Sequence, residues 1–185
     1  MIKINPAHIY ALVILIYGVI DVAIQKNKKS IVTIGTKDRT YLPVFITFII
    51  TFVAVYLEFR LLEKQVSWPM MVAGSMVCLL ATCLRVKAHL DLKSGFSTRV
   101  EKQKDHVLVT TGIYSMIRHP MYLALLAMQG GACIMMKSVF SWIFIILNYF
   151  PLYIRIRKEE AFLKENFHEY AEYMQKTYRL IPFIY

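Results

Sequence analysis

The chain has 185 residues, 57% of them hydrophobic, with 22 Lys and Arg against 12 Asp and Glu. A mean hydropathy of +0.49 excludes a disordered chain and sets it apart from ordinary soluble domains. The formal net charge of +10 raises nucleic acid as a partner, but the basic residues are distributed between apolar runs, so no nucleic-acid binding is expected.

The first apolar run covers residues 7–24. Only Lys3 precedes it, no small-residue cleavage site follows it, and Lys26, Lys28 and Lys29 flank it. It reads as a retained membrane anchor, not a cleaved leader. The second run is 41–57, extending to Leu62 with Arg60 snorkelling to the boundary, and the third is 66–84. The fourth and fifth, 120–136 and 139–154, are separated by Lys137-Ser138 and predict a tight helical hairpin. Each run approaches the ~20 residues a helix needs to cross the hydrocarbon core. The expected fold is all-α: a single integral membrane domain over 1–185 with five transmembrane helices, residues 1–84 holding the first three and 85–185 a catalytic half.

With five crossings, 18 of the 22 Lys and Arg fall on one face, in loops 25–40 and 85–118 and in the tail from Arg155. The positive-inside rule makes that face cytoplasmic and puts the N-terminus outside. Attraction to anionic membrane lipids is the second use of this charge. Cys78, Cys83 and Cys133 lie in apolar segments without CxxC spacing. They read as small core hydrophobes, and no metal site or disulfide framework is expected.

The cytoplasmic segments carry more pattern than plain loops. Helix three continues through Leu90 and breaks at Ser94-Gly95. After helix five, helical spacing continues through Met174, with Glu160–Lys164 and Glu172–Lys176 as expected i,i+4 pairs and Phe162, Phe167, Tyr170 and Tyr173 as an aromatic stripe. The helix must end before Pro182. Asn148 and Gln129 are polar at membrane depth and have to pair or line a cavity; Pro151 can bend helix five beside them.

Residues 106–122 are the richest stretch. Pro120 suits the first helical turn, and His119, before a proline, is biased away from helical geometry. Arg118 and His119 therefore form a cationic pair at a helix N-terminus, where backbone N–H groups favour an anion. Taken alone, the pair could equally anchor a helix end among lipid phosphates.

The pattern His106-x-Leu108-Val109-x-x-Gly112-x-Tyr114-x-x-x-Arg118-His119-Pro120-x-Tyr122 resembles the signature of the isoprenylcysteine carboxyl methyltransferase family, related to the phospholipid N-methyltransferases. About forty residues on, Glu159-Glu160, Leu163, Phe167, Tyr170, Tyr173 and Ile181-Pro182-Phe183 resemble that family's second block. The likeness covers residues 85–185. It departs at His168, where the family often has Gly, and at Leu123-Ala124, where small Gly or Ser is common. These departures bear on the acceptor more than on the cofactor.

The resemblance implies S-adenosylmethionine as cofactor and methyl transfer to a lipophilic acceptor, a prenylated cysteine carboxylate or a lipid-like hydroxyl. It implies a cytoplasmic pocket between the loop before helix four and the C-terminal helix. Arg118, His119 and Glu160 are the implied catalytic residues. His106, Leu108, Val109, Gly112, Tyr114, Tyr122 and Glu159, together with His119 and Glu160, are implied to hold the cofactor: a cation for its carboxylate, an acidic residue for its ammonium, aromatic faces at Tyr114, Tyr122 and Tyr153 for its sulfonium, an apolar slot at 107–109 for its adenine. An ionised carboxylate acceptor needs no base; for a hydroxyl, His106 or His119 has a suitable ordinary pKa. The Arg-His-Pro-x-Tyr motif also resembles that of NADPH-dependent membrane sterol or enone reductases, where it typically continues into Gly-Asp; here Leu123-Ala124-Leu125 follows. A non-catalytic membrane interaction protein is the remaining alternative.

Overall fold

The computed structural model describes residues 5–26, 40–94 and 108–183, and among them there is no strand. Helices α1 (Pro6–Lys26), α2 (Tyr41–Leu61) and α3 (Trp68–Ser94) are followed by a 3₁₀ turn at Gly112–Ser115. Then come α4 (Pro120–Met135), α5 (Trp142–Asn166) and α6 (Tyr170–Lys176). Local chemistry sets the starts. Asn5 Oδ1 accepts the Ala7 N–H at 3.0 Å and Pro6 takes the first position of α1. Pro120 does the same for α4, with His119 at φ −124°, ψ 57°, outside the helical region as its place before a proline dictates.

The stretches Pro6–Ile24, Tyr41–Leu61 and Trp68–Leu92 are long and apolar enough to cross a membrane. Helix α4 is apolar but shorter, at 16 residues, which gives about 24 Å at ~1.5 Å per residue. Helix α5 starts apolar and runs without interruption through Pro151 into the charged segment ending at Asn166. The continuous helical tail expected from the sequence breaks instead at Phe167, whose extended backbone (φ −130°, ψ 110°) separates α5 from α6.

Small residues let the helices meet closely. A Cβ on Gly74 of α3 would strike the Met135 backbone and come within 2.6 Å of the Gly131 carbonyl of α4. Cys78, Ala81, Met128, Ala132 and Cys133 fill the same contact, joined by Tyr10 and Tyr17 from α1 and Phe52 and Val55 from α2. This is how helices associate where lipid is as apolar as leucine. Leu15, Leu79, Leu80, Ile146 and Phe150 point outward and are exposed. Cys78 and Cys133 are buried and free, and Cys83 is exposed.

The polar groups at depth pair with one another. Thr47 Oγ1 donates to Asn148 Oδ1 (2.6 Å), Asn148 Nδ2 to Gln129 Oε1 (3.0 Å), and Gln129 Nε2 to Thr51 Oγ1 (2.7 Å), tying α2, α4 and α5 together. At the α4–α5 hairpin, Glu58 accepts from the backbone N–H groups of Val139 (2.7 Å), Phe140 (3.2 Å) and Ser141 (2.9 Å). It also accepts from the Ser141 hydroxyl (2.6 Å) and from Lys64 Nζ (2.6 Å), which reaches on to the Lys137 carbonyl. A carboxylate thus satisfies the orphan donors before α5.

Candidate active site

At the other end of α5 the two motif blocks and the tail converge. Residues 116–119 lie beside 177–180, with Ile117 and Tyr178 paired in parallel. Tyr178 N–H donates to the Met116 carbonyl (2.9 Å), Arg118 N–H to the Tyr178 carbonyl (2.8 Å), and His119 N–H to the Arg179 carbonyl (3.1 Å). The first free donors of α4 are taken up locally, since the N–H groups of Tyr122 and Leu123 both reach the His119 carbonyl, at 3.1 and 3.2 Å. The backbone donors of Arg118, His119, Tyr122 and Leu123 are therefore directed at the tail and at the His119 carbonyl.

Glu160, 4% exposed, is the centre of the cluster. Its Oε1 accepts from Arg118 Nε (3.2 Å) and Arg179 Nε (3.0 Å) and lies 3.4 Å from His119 Nε2, while its Oε2 accepts from Arg179 Nη2 (2.8 Å). Arg118 also donates through Nη1 to the carbonyls of Met174 (2.9 Å) and Thr177 and to Thr177 Oγ1 (3.3 Å). Burial by itself raises the Glu160 carboxyl. Hydrogen bonds from His119 and Arg179, with their charges, outweigh it and hold the group at about 2. The expected Glu160–Lys164 surface pair is thus replaced by a buried cluster across segments, because two arginines and a histidine offer a buried carboxylate more than one solvated lysine does. Glu172–Lys176 forms as expected, at 2.5 Å and exposed.

A second relay runs beside it. Tyr122 Oη donates to Glu159 Oε2 (2.7 Å) and accepts from Arg155 Nε (2.8 Å), and Arg155 Nη1 reaches Thr40 Oγ1 at the start of α2 (3.2 Å). The Tyr122 ring stacks on His119 with centroids 5.6 Å apart. On the third side, Val109 and Tyr114 pack on Ala88 of α3, with Leu92, Ile113 and Met121 around them. Gly112 has φ +62°, and a Cβ there would collide with the Asp91 carboxylate, which accepts the Ile113 N–H at 2.8 Å. Tyr173 Oη donates to the Tyr114 carbonyl at 2.7 Å. Burial raises the Tyr173 phenol to about 12, although Arg118 pulls the other way.

The residues singled out by sequence thus gather at one end: Arg118, His119 and Glu160 in contact, Tyr122 with Glu159, and Val109, Gly112 and Tyr114 on the adjoining turn. Leu108 is half-buried at the start of that stretch. His106 and Val107 lie outside the described residues. Tyr153 is half-buried beside Tyr149, centroids 6.3 Å apart. Sequence reading missed Asp91, Arg155, Thr177 and Arg179 as members of this region. Arg155 stands four residues before Glu159 on α5, the i,i+4 spacing of a helical pair, whereas Arg179, 19 residues from Glu160, gives no local signal.

Long apolar helices closed at one end by a buried, mixed-charge cluster define a helical membrane protein with a candidate site at the end of its bundle. The chain belongs to the isoprenylcysteine carboxyl methyltransferase family: the family's model matches residues 72–165, just over half of the chain. A protein-S-isoprenylcysteine O-methyltransferase of Saccharomyces cerevisiae is 37% identical over 119 residues, covering 61% of this chain and 49% of the relative. One from Tribolium castaneum is 35% identical over 132 residues, covering 65% and 44%. The human enzyme of that name is 30% identical over 125 residues, again covering 65% and 44%. The solved structure of a eukaryotic intramembrane Ras methyltransferase of the family aligns with a TM-score of 0.60 at 28% identity, over 82% of this chain and 55% of that one. The chain spans about half the length of the curated relatives it matches.

Proposed function

We propose that this chain transfers a methyl group from S-adenosylmethionine to a lipophilic acceptor at the membrane surface, the carboxylate of a prenylated cysteine being the acceptor class that its relatives' names give. One observation carries the reading: Arg118 and His119 meet Glu160, more than forty residues away in sequence, in one buried cluster at the end of the bundle. The donor set fits the cofactor. Arg118 and His119 suit a carboxylate, Glu159 and Glu160 an ammonium, and the apolar turn around Val109 and Tyr114 an adenine. A buried Tyr170 hydroxyl without a partner among the described residues leaves a polar group to be satisfied.

When bound, the cofactor supplies an electrophilic methyl group. The work of this chain is to bind, orient and exclude water, and most of the rate gain comes from alignment. Arg118, His119 and Glu160 hold the charged end in register with α4, and Tyr122 and Glu159 close the adjacent wall. A carboxylate acceptor asks no base of the protein; for a hydroxyl acceptor, His119 is the base within the described cluster.

We place this site on the cytoplasmic face, with five crossings, the N-terminus outside, and 1–185 acting as one membrane domain whose half from 85 onward is catalytic. The Lys and Arg distribution supports this orientation. Cysteine-accessibility labelling at positions 28, 102 and 176 is expected to report one common side, and labelling of 102 and 176 from opposite sides ends the five-helix topology. Calorimetry on detergent-solubilised protein is expected to show S-adenosylhomocysteine binding. NADPH binding in its place moves the protein to the reductase alternative.

A further inference from the structure

Tyr170 differs from the other buried polar groups around the cluster. Its side chain is 1% exposed, and its hydroxyl has no hydrogen-bond partner among the described residues. Tyr173, one turn on and also buried, donates its hydroxyl to the Tyr114 carbonyl; the two rings lie 5.7 Å apart. The contrast is informative, because both phenols are equally able to pair and only one does. A buried hydroxyl left unpaired is a standing cost, and phenylalanine would fill the same space without it.

The hydroxyl is not isolated in an apolar core. Its helix, α6, lies against the cluster: Arg118 donates to the Met174 carbonyl and Tyr173 to the Tyr114 carbonyl. The side chains of that cluster are turned elsewhere: Arg118 and Arg179 toward Glu160, Arg118 also toward the tail carbonyls, and Glu159 toward Tyr122. What is missing is an acceptor for the phenol O–H. A phenol O–H donates well to a carboxylate, and Arg118 and His119 favour the same charge.

We propose that the Tyr170 hydroxyl is a binding group for the amino-acid end of the adenosyl cofactor, donating to its carboxylate. This rests on the methyltransferase reading above. The ring is covered without ligand, so the contact forms as ligand replaces part of that cover. Nothing about the adenine end is required of Tyr170.

The test is Tyr170→Phe in the full detergent-solubilised chain, with two probes. S-adenosylhomocysteine carries the amino-acid end; 5′-methylthioadenosine keeps the adenosine and sulfur and lacks it. Tyr170→Phe is expected to weaken S-adenosylhomocysteine about tenfold or more, the range for a hydrogen bond to a charged group. It is expected to leave methylthioadenosine binding unchanged and the ligand-free melting temperature equal or higher. Unchanged S-adenosylhomocysteine affinity overturns the proposal, as does equal weakening of both probes. A lower ligand-free melting temperature also overturns it, since removing an unpaired hydroxyl must not destabilise. Tyr173→Phe, which breaks a formed bond, is expected to lower that temperature. If the wild-type chain itself binds no S-adenosylhomocysteine, the methyltransferase reading fails first, and Tyr170 falls with it.

Discussion

Glu58 of α2, which caps the start of α5, and Glu160, in the other half of α5, are both buried carboxylates, 8% and 4% exposed. Glu58 takes three of its donors from consecutive backbone N–H groups of one loop, and a serine and a lysine complete the set. Glu160 takes its donors only from side chains, Arg118, His119 and Arg179, carried by two separate segments. Backbone donors are fixed once the loop is folded. Side-chain cations can turn and share themselves with another acceptor. The two carboxylates are thus alike in burial and saturation; they differ in whether their donors are fixed backbone or side chains that can turn.

Removing either glutamate is the severest test. Glu58→Ala and Glu160→Ala each leave buried donors or charges uncompensated, with an expected loss of about 3–5 kcal/mol where buried charges are orphaned, read as a lower melting temperature in detergent. Excess S-adenosylhomocysteine is expected to raise the melting temperature of Glu58→Ala as far as it raises wild type, and to leave that of Glu160→Ala unmoved. Equal responses would erase the distinction between the two ends.

Arg118→Lys sharpens it. Lysine keeps the charge but loses the fork that binds Glu160 and the carbonyls of Met174 and Thr177 together. We expect a stability loss of about 1–3 kcal/mol, the scale of charged hydrogen bonds, faster proteolysis between 177 and 183, and reduced turnover. Wild-type turnover would remove Arg118 from the site and leave it a brace for the tail.

Acid provides a third test. A carboxyl lowered on folding, here from 4.5 to about 2, stabilises the protein above its unfolded pKa and loses that contribution as pH falls through the folded one. The melting-temperature gap between wild type and Glu160→Gln is expected to narrow from about pH 5 to about pH 2. A constant gap would mean that Glu160 is not held as a carboxylate by its partners. The smallest effect is expected at Gln129→Leu, which cuts the chain Thr47–Asn148–Gln129–Thr51 and, on the scale of interhelical bonds in membranes, costs about 0.6–1.7 kcal/mol. Cofactor affinity is expected to stay at the wild-type value.

The helices were legible because apolar runs and flanking charges are local signals: the run from 41 gave α2 and that from 120 gave α4 nearly to the residue. The need of Asn148 and Gln129 to pair was legible too, and Thr47 and Thr51, unremarked in the sequence, answer it. What stayed hidden is non-local. Nothing near Glu160 says that it turns from Lys164 toward Arg179, nor that Tyr122, 37 residues before Glu159, lies beside it. The backbone N–H groups of Arg118 and His119, beside the helix start read as favouring an anion, pair with the tail carbonyls of Tyr178 and Arg179, and so short a backbone pairing leaves no periodicity to read.

That pairing has a consequence for biosynthesis. Glu160 follows Arg118 by 42 residues and Thr177 follows it by 59. At ~5–20 residues per second, Thr177 is translated about 3–12 s after Arg118. Until both are synthesised, the arginine and histidine before α4 lack the carboxylate and the tail carbonyls that pair with them in the folded chain. The charged cluster is thus assembled from the two sides of the α4–α5 hairpin after both have been synthesised, and a chain cut short before Glu160 would lack both the carboxylate and the tail that hold it.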